Sequence, residues 1–501
     1  MKGIMIQGTS SDVGKSLIVT ALCRHLSNQG LKVAPFKSQN MSNNSYVTAD
    51  GKEIGRAQGI QAEAARTEAT TSMNPILLKP RSEKEAEVVL NGQVVETLSG
   101  SRYRQTFYER GQEAIAFALE ELKSTYEILV IEGAGSPVEM NLNDRELVNM
   151  KVAEMADVPV VLVADIDRGG VFASIVGTLE LLTPIQRKRV RGIIINKFRG
   201  ERELFHSGIK WLEEKTGIPV LGLLPYIEHH GIDGEDSLSI EHHYFGKKKG
   251  NLDIAVIRLP LISNYSDFES FASEADVSIR WVQHVSEFGQ PDAVIIPGTK
   301  STIADLDFLI ENHWDECLQD FVAAGGYLVG ICGGYQMLGN EIIDEAGTDT
   351  GHKKLKVEGL RMIPAITIFE NEKDTIRVKG RIHPATRIRN TPSIEGYEIH
   401  LGRTTVDELH AFLQLEGNRS EGYYGQNGRI IGTYLHHLFF NDEWRNIWLN
   451  RLRVEKGLEE KEVVNTRNVK DMKYDELAAS FEKYLDWESL GKIIDQWDAE
   501  Q

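Results

Sequence analysis

Two short stretches hold residues whose types and spacing could do chemistry. The first is Gly8-Thr-Ser-Ser-Asp12-Val-Gly14-Lys15-Ser16, which sets a lysine and a hydroxyl directly behind a glycine-bracketed loop. Placed between a strand and a helix, such a loop turns its backbone N–H groups and the positive helix end toward an anion. Lys15 then reaches the outer phosphates of a nucleotide and the Ser16 hydroxyl meets Mg²⁺. Five residues separate Gly8 from Gly14 where four are usual, so the loop, with Asp12 inside it, is a variant. The second stretch is Gly330-Ile-Cys332-Gly333-Gly334-Tyr-Gln-Met-Leu-Gly339. Small residues on both sides of Cys332 suit a tight strand-to-helix turn that pushes a thiol out of a sheet. The helix start would favour thiolate, and the N–H of Gly333 would face a developing oxyanion. A second oxyanion donor is expected from Pro297-Gly298-Thr299.

A nucleophilic thiol needs a base. Arg429-Ile-Ile-Gly-Thr-Tyr-Leu-His436-His437 reads as a strand ending in histidine. His436 is the favoured proton carrier, although the adjacent His437 keeps the choice open. His400, in Gly396-Tyr-Glu-Ile-His400-Leu-Gly402, reads as structural or substrate-contacting. Further polar groups close apolar runs: Lys37, Glu132, Asp165 and Asn196. At the C-terminal ends of parallel strands they fit an ATP site. Lys37 would neutralise phosphate, Glu132 and Asp165 would bind Mg²⁺ with Ser16, and Asn196 would read the adenine edge.

The elements that must position these groups are short apolar runs alternating with helical patterns. Gly3–Gln7, Lys32–Pro35, Ile128–Ile131, Val158–Ala164 and Gly192–Ile195 read as strands buried on both faces of a parallel sheet. Lys15–Gln29, Glu53–Glu68 and Tyr103–Lys123 have helical spacing. Residues 1–227 therefore form one α/β unit, with a connection at 228–250 that carries His229, His230, His242 and His243. A second α/β unit spans 251–445, with strands at Asp253–Arg258, Ala293–Ile296, Tyr327–Ile331 and Arg429–Tyr434. Residues 446–501 read as a helical tail packed on that second unit.

Composition excludes several classes. The 501 residues carry 56 basic and 74 acidic side chains, a net charge of −18, so no nucleic-acid partner is expected. Three cysteines (Cys23, Cys317 and Cys332) cannot build a disulfide framework. No run approaches the roughly 18 apolar residues of a membrane span, and the first residues are no secretory signal. A cytoplasmic protein is expected, and a homo-oligomer is left open.

The phosphate loop is similar to that of the dethiobiotin synthetase group of ATP-dependent enzymes. The thiol turn followed by a strand-borne histidine resembles the class I glutamine amidotransferase domain, which hydrolyses glutamine through a thioester and releases ammonia. In that class a Glu lies two residues after the histidine. Leu438 stands there in this chain, which points to the subgroup working with a Cys–His pair. The order of motifs over residues 1–445 is similar to the cobyric acid synthase family of cobalamin-pathway amidotransferases. The motifs are Gln7–Ser16, Ala34-Pro-Phe-Lys-Ser-Gln-Asn-Met41, Met73-Asn-Pro-Ile-Leu-Leu-Lys-Pro80, Ile131-Glu-Gly-Ala-Gly-Ser-Pro137, Val163-Ala-Asp-Ile-Asp-Arg-Gly-Gly170 and Ile195-Asn-Lys-Phe-Arg-Gly200, then the Cys332 and His436 segments. His437 departs from the glycine common in the family.

That resemblance implies ATP- and glutamine-dependent amidation, through acyl phosphates, of the b, d, e and g carboxylates of adenosylcobyrinic acid a,c-diamide. Gln39 and Asn40, in the amide-rich run after the second strand, would hold the substrate carboxylates. Two other readings stay open at this point. One is the related a,c-diamide synthase; the other is a partition-type nucleotide-switch ATPase, against which the acidity and the thiol segment both speak.

Overall fold

The computed structural model describes residues 2–80, 85–141, 143–227, 250–389 and 391–499. The connection at 228–250, with its four histidines, lies outside them except for Gly250. The chain divides into two compact units, Met1–Glu235 with Lys470–Gln501, and Asp236–Val469.

In the first unit six strands run parallel in the order Val220–Pro225, Val190–Phe198, Val160–Asp165, Lys2–Gly8, Ile128–Glu132, Val33–Phe36. Their β-branched residues alternate between two apolar layers, as the two-residue repeat of a strand requires. Ile4, Ile6, Val161, Val163 and Ile194 face the layer that holds the helix Lys15–Asn28. Met5, Val160, Leu162, Ile193 and Ile195 face the other layer, with the helices Tyr108–Thr125 and Val171–Leu181. Because the strands are parallel, Gly8, Lys37, Glu132, Asp165 and Asn196 all gather at one edge.

Three local expectations change. Gln39–Met41 is a strand that pairs with Ile76–Pro80, in a sheet completed by Glu85–Leu90 and Gln93–Ser99. The helix expected over Glu53–Glu68 is a strand, Glu53–Gly55, followed by a helix, Arg56–Ala64. Gly55 sits so close to the Asn40, Gln58 and Asn74 side chains that a β-carbon there would collide with them. The helix expected over Tyr103–Lys123 is two, Gly100–Thr106 and Tyr108–Thr125, meeting at the buried Phe107.

The tail also differs. Helix Asp442–Glu455 does pack in the second unit, through Trp444, Trp448, Leu449 and Leu452. Residues 470–501 belong instead to the first unit, where Tyr474, Leu477, Phe481, Leu485, Leu490 and Ile494 join the layer of Ile4 and Ile18. The fully buried Arg24 holds Asp471 at 2.6 Å and Asp475 at 2.8 Å, so the charges of this segment form part of its anchorage. The apolar stripe between those charges decides where it docks.

The second unit has a sheet ordered Val277–Val282, Leu252–Ile257, Ala293–Ile296, Tyr327–Ile331, Ile430–Thr433, Tyr423–Gly425, parallel except for its last strand. A further sheet contains the long paired strands Ile366–Ile382 and Ser393–Thr405. Among the described residues no helix is long and apolar enough to cross a membrane.

Candidate active site

The buried strand Tyr327–Ile331 runs into Cys332 and then directly into the helix Gly333–Met337. Cys332 takes φ 52° and ψ −109°, a backbone conformation costly for a side chain and kept only where the surroundings enforce it. The flanking glycines also have a packing reason. A β-carbon on Gly330 would lie 2.8 Å from the Gly334 carbonyl oxygen, and one on Gly334 would collide with the Ile296 carbonyl. Cys332 is 7% exposed and its Sγ is 3.5 Å from the Ile399 carbonyl oxygen.

His436 is fully buried beyond the strand Ile430–Thr433, stacked on Tyr397 with ring centroids 5.1 Å apart. Its Nδ1 lies 2.8 Å from Asp267 Oδ2, and its Nε2 lies 3.4 Å from Asn264 Nδ2. Burial alone would lower the imidazole, but the Asp267 carboxylate and the hydrogen-bonded Cys332 thiol overcome it and push it up to about 10. Cys332 and His436 converge around Gly298. A β-carbon there would lie 3.3 Å from His436 Cε1 and 3.6 Å from Cys332 Cβ. A β-carbon on Gly333 would in turn lie 2.6 Å from Thr299 Cγ2. The two expected oxyanion elements, Gly298 and Gly333, thus border the thiol together, and Gly333 opens its helix, where backbone N–H groups have no intrahelical acceptor.

Asp267 is the residue that motif reading missed. It lies 169 positions before His436, in the segment Tyr265–Ser273, and is fully buried. Its second oxygen accepts the backbone N–H of His437 at 2.7 Å. His437 has φ 63°, a left-handed conformation that favours glycine, and its ring turns edge-on to Tyr397. Of the two histidines it is thus His436 whose ring lies beside Cys332 at Gly298, and Asp267 places a carboxylate on its Nδ1 where Leu438 offers none. His400 is held by Gly402 and Tyr434, with its Nδ1 2.8 Å from the Gly402 oxygen and its ring stacked on Tyr434. Behind the thiol strand, Glu421 accepts from the Thr433 hydroxyl at 2.7 Å and the Tyr434 N–H at 2.7 Å. Burial and the neighbouring Glu398 push it up to about 8.

At the phosphate loop, Gly14 has φ 96° and opens the helix Lys15–Asn28. Lys15 Nζ donates to the Ser10 carbonyl at 3.1 Å and the Gly135 carbonyl at 3.4 Å. The centre of the site is Glu132, 1% exposed. Ser16 Oγ donates to it at 2.8 Å, Lys37 Nζ at 3.0 Å and Gln61 Nε2 at 2.6 Å. Burial would raise this carboxyl, yet Lys37, Ser16 and Gln61 hold it below the usual range. Gln61, on the helix Arg56–Ala64, had no motif to announce it.

The remaining expected residues have protein partners of their own. Asp165 pairs with Lys197 at 2.9 Å and accepts the Asp167 N–H at 2.8 Å. That lysine also donates to the Asp12 carbonyl at 2.5 Å, and the Asp12 carboxylate lies 3.4 Å from Arg168. Asn196 donates its amide N–H to the Val13 carbonyl at 2.8 Å, which ties it to the phosphate loop. Asn40 is 3% exposed and donates to Gln58 Oε1 at 3.1 Å, so its amide lies in a buried polar layer. Gln39 accepts from the Tyr103 hydroxyl at 2.6 Å. Among the described residues no group of three or more His, Cys, Asp or Glu side chains gathers as a metal site. The Ser16–Glu132 pair nonetheless suits a hard cation that takes its other ligands from phosphate oxygens and water.

A phosphate loop heading one parallel sheet, and a thiol, imidazole and carboxylate heading another, define a nucleotide-binding glutamine amidotransferase. Residues 4–236 match the model of the CobQ/CobB/MinD/ParA nucleotide binding domain, and residues 253–444 that of the CobB/CobQ-like glutamine amidotransferase domain. Cobyric acid synthase of Geobacillus thermodenitrificans is 47% identical over 99% of this chain and 98% of its own length. That of Geobacillus sp. (strain WCH70) is 50% identical over 91% and 90%, and that of Synechococcus elongatus 46% over 98% and 99%. The chain belongs to the cobyric acid synthase family.

Proposed function

We propose that this chain amidates the b, d, e and g carboxylates of adenosylcobyrinic acid a,c-diamide, using ATP to activate each carboxylate and glutamine as the nitrogen source. The observation that carries the reading is the buried His436, engaged by Cys332 on one side and Asp267 on the other, in a chain that also holds the Gly8–Ser16 loop.

With its imidazole raised to about 10, His436 is an imidazolium at neutral pH beside Cys332, which favours the thiolate. The thiolate attacks the glutamine side-chain amide, and the N–H groups of Gly333 and the Gly298 loop meet the oxyanion. His436 then gives its proton to the departing amine, so ammonia leaves and a thioester remains for water to hydrolyse. Asp267, bound at Nδ1, fixes which nitrogen faces the thiol.

In the first unit a corrinoid carboxylate would attack the outer phosphate of ATP, a transfer governed by positioning and charge neutralisation. Lys15 and Lys37 supply positive charge there. Ser16 and Glu132 would hold Mg²⁺, which neutralises phosphate charge when bound. The acyl phosphate gives ammonia an electrophile that a free carboxylate does not offer.

The test is the product. Incubation of the a,c-diamide with ATP, Mg²⁺ and glutamine gives a mass series of four successive amidations. An unchanged a,c-diamide, with amidation only of cobyrinic acid at its a and c positions, would assign the chain to the earlier step.

A further inference from the structure

The loop after Leu252–Ile257 delivers Asn264 and Asp267 to His436, and the loop after Ala293–Ile296 delivers Gly298 to Cys332. Both loops converge on one carboxylate outside the triad. Asp305, 1% exposed in the first turn of the helix Thr302–Glu311, accepts the Leu261 N–H at 3.3 Å on one oxygen and 3.2 Å on the other. It also accepts the Thr299 hydroxyl. The loops are laced directly as well: Ser263 N–H donates to the Gly298 oxygen at 2.9 Å, and Lys300 N–H to the Leu261 oxygen at 3.0 Å. The helix start does not need Asp305 as a cap. Asp349 takes the N–H groups of Thr302 at 3.0 Å and Ile303 at 2.9 Å. Burial, with the nearby Asp349 carboxylate adding repulsion, pushes Asp305 up to about 6. A carboxylate kept at that cost, and bonded to two catalytic loops, calls for a role beyond solvation.

We infer that Asp305 is a positioning residue for glutamine hydrolysis: it clamps the Leu261 and Thr299 loops so that Gly298 meets the oxyanion while Asp267 stays on His436. This rests on the glutaminase reading above. A donor displaced by a fraction of an ångström stabilises the transition state less while leaving substrate binding nearly intact.

The experiment compares Asp305→Ala, Asp305→Asn and Thr299→Val in the full chain, with glutamine or ammonium as nitrogen source. Expected for Asp305→Ala is a fall in glutaminase kcat of about 30–100-fold, with KM changed by less than about threefold. Synthesis from ammonium and the rate of Cys332 alkylation by iodoacetamide stay near wild type. Asp305→Asn, which keeps an accepting oxygen, recovers most of kcat, and Thr299→Val falls between. Full glutaminase kcat in Asp305→Ala would overturn the inference. So would a parallel loss of ammonium-driven synthesis and alkylation, which would mark a purely structural residue. A wild-type protein without glutamine hydrolysis would instead overturn the reading on which the inference rests.

Discussion

The two sites solve opposite problems. In the second unit the reactive groups are held in strained and buried positions: Cys332 at φ 52°, His436 fully buried and Asp267 fully buried. In the first unit the charged groups lean on one another, with Lys37 and Ser16 on Glu132 and Lys15 on loop carbonyls. Acyl transfer from glutamine depends on a nucleophile, a proton carrier and an oxyanion site already in register. Phosphoryl transfer depends on charge that arrives with the ligand, so its residues can be paired internally and exchange partners.

The sharpest way to break this comparison is to remove the cation of the first site. Lys15→Ala is expected to lower synthesis by at least about 100-fold with either glutamine or ammonium, because activation precedes both. Glutamine hydrolysis measured alone would survive if the units work separately. Next comes the carboxylate of the second site. Asp267→Asn is expected to lower glutamine-driven turnover on the order of 10³-fold, with ammonium-driven synthesis retained. In wild type the proton on His436 is present below its raised value and lost as pH rises through about 10, so glutamine turnover falls there. In Asp267→Asn that descending limb moves to lower pH, because the carboxylate that raises His436 is gone.

Much of this was legible in the sequence, for a physical reason. Strands buried on both faces leave long apolar runs, and a parallel sheet places their C-terminal ends together, so Lys37, Glu132 and the thiol turn could be located by their place after such runs. Contacts between distant segments leave no periodic mark. Asp267 lies in a stretch with no spacing relation to His436, and Gln61 sits on a helix that looks ordinary. At Asn40 and Asn196 the strand-end position alone does not reveal that each amide N–H binds the protein itself, at Gln58 Oε1 and the Val13 carbonyl. The tail's stripe of Leu477, Phe481 and Leu485 marks a docking face, but no spacing in it says which unit it docks on.

Two smaller effects sharpen the contrast. Gln61→Leu removes the donor on Glu132 Oε2 and is expected to weaken the Mg²⁺ dependence of ATP binding by about 3–10-fold, read by titration without corrinoid. Glutamine hydrolysis should not change. The smallest concerns Glu421, whose fold value lies above its unfolded one. Folding then holds its proton, so its contribution to stability is full below the ordinary carboxyl range and is lost as pH rises through about 8. Denaturant midpoints between pH 5 and 9 should fall in wild type and stay flatter in Glu421→Gln.

The division of labour itself is tested by changing the nitrogen source in Cys332→Ala. Mass spectrometry of the corrinoid should show the full amidation series with ammonium and no amidation with glutamine. Glutamine-driven amidation persisting in that variant, or failure with both sources while ATP still binds, would contradict the account.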